Sequence, residues 1–294
     1  VPIAGMTFPA YALLSSLPAR GQARLNALHL VRGRLPEPGH PSEVVVLDAF
    51  AQAHGLMPGH PLPVVMNGRR RSLTVVGVAL SPEYVFALRP GAFADDPERF
   101  AVLWMRRDAL AAAFQLEGAF NELSLRLQPG ASQALVEERL DRLLDPFGSD
   151  GAYGRAEQVS NRIVASELEQ LASLATMVPV VFLLVATFLI RLVLGRLVTL
   201  QRGEIASLKA VGYSNGQVGR HYLGLVGVVV VPAGAFGVAL GQKLGEVMIG
   251  LYTSVFRFPA LEFRLSPVLV VVGLAVGLAG AIAGAMLAVR TAVK

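Results

Sequence analysis

The sequence predicts an α+β membrane protein: a mixed α/β extracytoplasmic domain followed by a stalk helix and three transmembrane α-helices. Three observations carry this. The 294 residues are 53% hydrophobic and only 16% charged, with a mean hydropathy of +0.54, whereas soluble domains carry about 25% charged residues. The charge is also divided: residues 1–165 hold 16 Arg and 16 acidic residues, while residues 166–294 hold 10 Lys or Arg against 5 acidic residues. All three apolar runs long enough to cross a bilayer, about 20 residues each, lie in that second part. This composition excludes a disordered chain and a DNA-binding protein. With no cysteine at all, a disulfide scaffold, a thiolate metal site and a Cys nucleophile are excluded too.

In the first part, the β-branched run Val44–Leu47 after Ser42-Glu43 predicts a strand, and a short helix Ala49–His54 follows. Leu62–Met66 and Ser72–Val78 flank Asn67-Gly68, a strong hairpin signal. Ala101–Met105 reads as an apolar strand, and Asp108 as the N-cap of a helix through Phe114. Asn121–Leu127 alternates as a half-buried strand does, Pro129-Gly130 punctuates, and Ala131–Leu144 continues as an amphipathic helix. The triplet Arg69-Arg70-Arg71 is expected at a solvated hairpin tip. Tyr84, Phe86 and Phe93 are expected in core packing, with Asp95, Asp96 and Glu98 solvating their loop.

Catalytic constellations are missing from the sequence. It has no HExxH, GxSxG or Walker A string; the nearest, GVALGQK, falls within an apolar span. His54 and His60 straddle a Pro-Gly turn with no ligand cluster around them. The expectation is a chain that is not itself an enzyme.

The spans are read as Leu171–Leu194, Tyr222–Gly241 and Val268–Val289, the last opened by Ser266-Pro267. Residues 158–174 lack Pro and Gly, so the first span should extend upward as a continuous stalk helix of 35–40 residues. Arg191 is expected to snorkel near an interface, and Pro179 and Pro232 to permit kinks. Small-residue ridges at Gly237, Gly241 and Gly245, and at Gly273, Gly277, Gly280 and Gly284, are expected to let helices approach closely. Arg191, Arg196, Arg202, Lys209, Arg220, Arg290 and Lys294 outnumber Lys243, Arg257 and Arg264 on the opposite side. The positive-inside rule then puts 196–221 and the C-terminus in the cytoplasm and 1–165 outside, and calls for a further span N-terminal to Val1. The expected division is 1–157 as the extracytoplasmic domain and 158–294 as the membrane domain. The latter comprises stalk and span 158–198, a connecting helix 203–212, span 222–244, an outer loop 245–266 and span 267–289.

The connection QRGEIASLKAVGYSNGQVGRHY, residues 201–222, repeats Ile205, Leu208 and Val211 at helical spacing, with Glu204 and Lys209 on the polar side and Gly212 as a C-cap. This string, with SEVVVLDAFAQAHGLMPGHPL and the ending AVRTAVK, resembles the FtsX-like permeases, the MacB/LolCDE type of ABC transporter membrane subunit. The large two-repeat permeases are the best match, which would make this chain about one repeat, cut at both ends. The resemblance implies that 203–212 is a coupling helix docking on an ATP-binding subunit through Glu204, Ile205, Leu208, Lys209 and Gly212. It implies no bound cofactor on this chain, with ATP and Mg held by the partner. The implied partners are a dimer of ATP-binding subunits, a second permease repeat or subunit, a periplasmic partner and membrane lipids, without nucleic acid. The implied function, in a bacterial inner membrane, is ATP-driven export or extraction of a lipid, lipoprotein or other hydrophobic substrate. The alternative is a non-transporting signalling subunit that controls an external partner such as a cell-wall hydrolase.

Overall fold

The computed structural model describes residues 1–2, 9–92 and 94–293, with Ser254 and 288–293 described in backbone only. The loop aromatic Phe93, and Arg290 and Lys294 of the basic tail, therefore lie outside the described side chains. The chain packs as two units, Val1–Glu167 with Tyr252–Leu261, and Leu168–Leu251 with Glu262–Lys294.

The first unit is built on one mixed sheet. Its strands are β1 (Tyr11–Leu17), β2 (His29–Gly33), β3 (Glu43–Leu47), β4 (Pro61–Met66), β5 (Arg69–Leu80) and β6 (Phe100–Arg106), in the order β1-β6-β3-β5-β2, with β4 also on β5. β1 runs parallel to β6, and β3 parallel to β5; the remaining pairs are antiparallel. Every residue of β3 and β6 is buried. A strand covered on both faces reads as a continuous apolar run, which is why Val44–Leu47 and Ala101–Met105 are so legible. Val44, Val46, Leu103 and Met105 face a core closed by Phe50 and Ala51 of α1 (Asp48–Ala53) and by α2 (Arg107–Phe114). Val45, Leu47, Val102 and Trp104 face the other core, closed by Leu17, Leu28, Ala87 and Tyr84.

The β4–β5 hairpin turns at Asn67 (φ 46°) and Gly68 (φ 72°), with Met66 opposite Arg69. Two successive positive φ values are the requirement of a two-residue turn whose twist matches the strands, and Asn-Gly meets it at little cost. Arg69–Arg71 are the first residues of β5 rather than a tip beyond it, and all three are exposed.

Two expectations change. Asp108 is not the N-cap of α2: Arg106 holds that position, and Asp108 lies in the first turn. There its charge favours the positive end of the helix dipole instead of capping it. Asn121–Leu127 forms no strand, and Leu123, Leu125 and Leu127 are exposed. Alternation supplies a face, but a strand also needs a neighbour to receive its hydrogen bonds, and these residues pair with none. The helix that follows, α3 (Gln133–Leu144), buries no residue.

β1, β2 and the loops joining them were not anticipated. Arg106, 6% exposed, organises those loops: its Nε donates to Pro36 O at 2.5 Å, and its Nη1 to Pro18 O at 2.7 Å and Gly21 O at 2.8 Å. Glu43 adds a second brace. It takes a forked pair from Arg34 at 2.5 and 2.8 Å and accepts the Glu37 N–H at 2.7 Å. The hydrogen bonds from Arg34 hold the Glu43 carboxyl down at about 2, against about 4.3 for an unperturbed glutamate.

The long helices are α4 (Val159–Leu200), α6 (Asn215–Val255) and α7 (Pro267–Val293), with the short α5 (Arg202–Ala210). α4 from Leu168, α5, α6 as far as Leu251, and α7 make the second unit, while the start of α4 and the end of α6 from Tyr252 belong to the first. The 42 residues of α4 begin in the first unit and amount to about 63 Å at 1.5 Å per residue. Pro179 and Pro232 lie inside α4 and α6. All three long helices are long and apolar enough to cross a membrane. Leu194 of α4, Val226 of α6 and Ala281 and Ala285 of α7 form one small buried layer.

Candidate functional site

The connection between α4 and α6 is built by three local devices. At Gln201 the helix breaks, yet the hydrogen bonds continue across it, Gln201 N–H to Leu197 O and Ile205 N–H to Gln201 O, both at 3.0 Å. α5 ends in a Schellman motif: Gly212 N–H donates to Lys209 O at 3.0 Å and Tyr213 N–H to Leu208 O at 3.1 Å, with Gly212 at φ 100°. That left-handed position is the reason for a glycine there. α6 then starts with a capping box. Ser214 N–H donates to Gln217 Oε1 at 2.8 Å, and Gln217 N–H reaches Ser214 Oγ at 3.4 Å. The S-x-x-Q spacing was visible in the sequence as SNGQ but was not read as a helix start.

The expected docking residues do not share one face. Ile205 is turned inward, 9% exposed, in a cluster with Val198, Val218 and Tyr222. This corrects its assignment to the docking surface: an apolar residue in a helix of nine residues is needed to hold that helix to its neighbours. The Tyr222 hydroxyl donates to Gln201 Oε1 at 2.7 Å and fixes the break. Neither Tyr222 nor Val218 was singled out from the sequence, though both continue the helical spacing of that buried cluster. The outward side carries Glu204, Leu208 (43% exposed), Val211 (81%) and Tyr213 (50%), with Lys209 half-buried. Arg196, Arg202 and Arg220 are exposed on the same connection.

The glycine ridges divide similarly. A Cβ on Gly280 would come within 3.0 Å of Leu183, and one on Gly284 within 2.8 Å of the Thr187 carbonyl oxygen. Thr187 Oγ1 also donates to Gly280 O at 3.3 Å. Gly280 and Gly284 are thus where α7 approaches α4. Gly237, Gly241, Gly273 and Gly277 face open space, and Gly245 lies under the Phe263 ring.

Elsewhere, His54 Nε2 lies 2.8 Å from Glu98 O, and His60 Nδ1 accepts the Met57 N–H. Among the described residues, no group of three or more His, Cys, Asp or Glu could hold a metal ion. Arg191 is exposed on α4.

Residues 176–294 match the family model described as FtsX-like permease C-terminal. No curated protein matches the chain. The match takes in most of α4 and all of α5, α6 and α7, the same connection and glycine ridge described above. Residues 176–294 are thus similar to an FtsX-like permease C-terminal domain, in a multi-pass membrane protein.

Proposed function

We propose that the chain is the permease subunit of a bacterial ABC-type system in the inner membrane. Residues 1–165 are outside, and 196–221 and the C-terminus are in the cytoplasm. A separate subunit binds ATP and Mg and hydrolyses ATP, and α5 receives its stroke. The work done is export or extraction of a lipid, lipoprotein or other hydrophobic substrate.

The observation that carries this reading is the outward face of α5. A nine-residue helix, held by a Schellman motif, a capping box and the inward Ile205, leaves its own Leu208 and the following Val211 and Tyr213 exposed among the described residues. The same connection carries Arg202, Glu204, Lys209 and Arg220, so apolar and charged side chains are exposed together, as on an amphipathic helix that seats in a groove. A rigid helix transmits displacement, and a loose loop would absorb it. The excess of basic residues around this connection supports its cytoplasmic side.

Because the chain has no cysteine, Leu208→Cys gives a single thiol for crosslinking in native membranes to a co-expressed ATP-binding subunit. A specific crosslink from Leu208→Cys, absent from Ala260→Cys, is the expected outcome. No crosslink from a folded, inserted protein would sink the docking assignment. Leu208→Asp should lower co-purification of the ATP-binding subunit at least tenfold while leaving membrane insertion intact. Ile205→Asp, by contrast, should damage the unit itself, since it buries a charge without a partner.

A further inference from the structure

Glu83–Phe86, a four-residue segment of the first unit, is gripped from two directions. The beginning of α4 holds one side: Gln158 Nε2 donates to Glu83 O at 2.8 Å, and the Phe86 N–H donates to Ser160 Oγ at 3.0 Å. Ser160 is 2% exposed. The end of α6 and the residues after it hold the other. Arg257 N–H donates to Val85 O at 2.9 Å, and the Phe256 ring lies 5.8 Å from that of Phe86. Phe256, 8% exposed, is also stacked on Tyr252 at 5.7 Å.

The two grips are joined to each other and to the sheet. The Tyr252 hydroxyl donates to Glu167 Oε1 at 2.6 Å, linking the end of α6 to α4. Arg257 Nη1 donates to Gln52 Oε1 of α1 at 3.1 Å, and Gln52 donates onward to Asp48 at 2.7 Å. Tyr84 sets its ring edge-on to Trp104 of β6, 6.0 Å away, and Asn26 donates to the Glu83 carboxylate at 2.5 Å. The carbonyls of Glu83 and Val85 and the amide and ring of Phe86 thus face partners on two helices, while Tyr84 between them is seated in the core.

We propose that Tyr252, Phe256 and Arg257 form a clasp that fastens the end of α6 to the segment already holding the start of α4. The two helix ends and the sheet then move together. With only the α4 hydrogen bonds, the sheet would hang on a single helix. The clasp adds a tilted ring contact to Phe86, a backbone bond to Val85 and an arginine reaching Gln52 of α1, all far from it in sequence. The clasp's role in carrying ATP-driven motion rests on the permease reading above; its existence does not.

The test uses the full chain in nanodiscs, without nucleotide or partner subunit. Nitroxides at Arg70→Cys and Val255→Cys report the sheet against the end of α6; those at Arg70→Cys and Arg162→Cys report the sheet against α4. In the Phe256→Ala, Arg257→Ala double variant, the first distance distribution should widen at least twofold and the second should keep its width. Emission from Trp104, the only tryptophan, should be unchanged, showing that the core is folded. If the core is disturbed, Phe256→Leu with Arg257→Gln gives the same reading on a folded protein. A first distribution no wider than the parent's overturns the clasp. Failure of the Leu208 crosslink would instead remove the ABC partnership and leave this result standing.

Discussion

Val44, Val45 and Val46 of β3 are wholly buried, while Val228, Val229 and Val231 of α6 are 63–76% exposed. The same side chain, in runs of similar length, has opposite surroundings in the two units. In β3 and β6, each apolar residue is buried against others of the same chain, on both faces of the sheet. In the helical unit, buried apolar residues are confined to the layer at Leu194, Val226, Ala281 and Ala285 and the cluster at Val198, Ile205, Val218 and Tyr222, and many of the others are exposed. A helix satisfies its own backbone, so its side chains are free to face hydrocarbon; a strand cannot do this, and its neighbours bury it. The first unit therefore depends on its own packing, and the second on what surrounds it.

The strongest way to break this comparison is at Phe50, fully buried between α1 and the sheet. Phe50→Ala should cost about 3–5 kcal/mol, read as a lowered urea midpoint of Trp104 emission. Gly284→Leu comes next. Its Cβ would meet the Thr187 carbonyl, which cannot step aside as a side chain can, and overpacking of this kind costs about 1–3 kcal/mol. Gly277→Leu, facing open space, should leave thermal stability in nanodiscs unchanged. Equal effects at the two glycines would mean that the ridge is not used selectively.

Glu43→Gln should cost about 1.5–3 kcal/mol near neutral pH, the worth of a hydrogen bond to a charged group. The sign follows from a depressed carboxyl: its stabilisation is present above the ordinary carboxylate range and is lost as pH falls through about 2. The gap between parent and variant should therefore close on acidification, and a gap that is constant with pH would deny the ionised Glu43 that role. The smallest effect is expected at Phe182, 71% exposed on α4. Phe182→Ala should change the Trp104 midpoint by less than about 0.5 kcal/mol, the usual range of surface substitutions.

Much of this was legible in the sequence, for identifiable reasons. β3 and β6 announce themselves because burial on both faces leaves a continuous apolar run at Val44–Leu47 and Phe100–Met105, with a charged residue only at one end of each strand. The hairpin announces itself because Asn-Gly is one of few pairs that tolerate its turn. β1, YALLSSL, was missed because its apolar residues follow neither strict alternation nor a continuous run. It is a strand because β6 is there to pair with it over all seven residues. Asn121–Leu127 is the converse, with the right alternation and no neighbour. In the α5 connection the caps were readable, Gly212 more readily than Ser214 and Gln217. The inward turn of Ile205 was not, because Leu208 has the same character and lies on the same short helix.

Elements whose physics is local could be read before any fold was known: three apolar helices long enough for a bilayer, the Asn67-Gly68 turn that needs positive φ, the Gly212 cap, and the excess of basic residues around 196–221. Which apolar face is covered, which glycines touch another helix, and the return of residues 252–258 to the segment at 83–86 emerge only in the folded chain. Those outcomes depend on partners far away in the chain. Hydrophobicity records that a residue must leave water, but it does not record which neighbour will receive it.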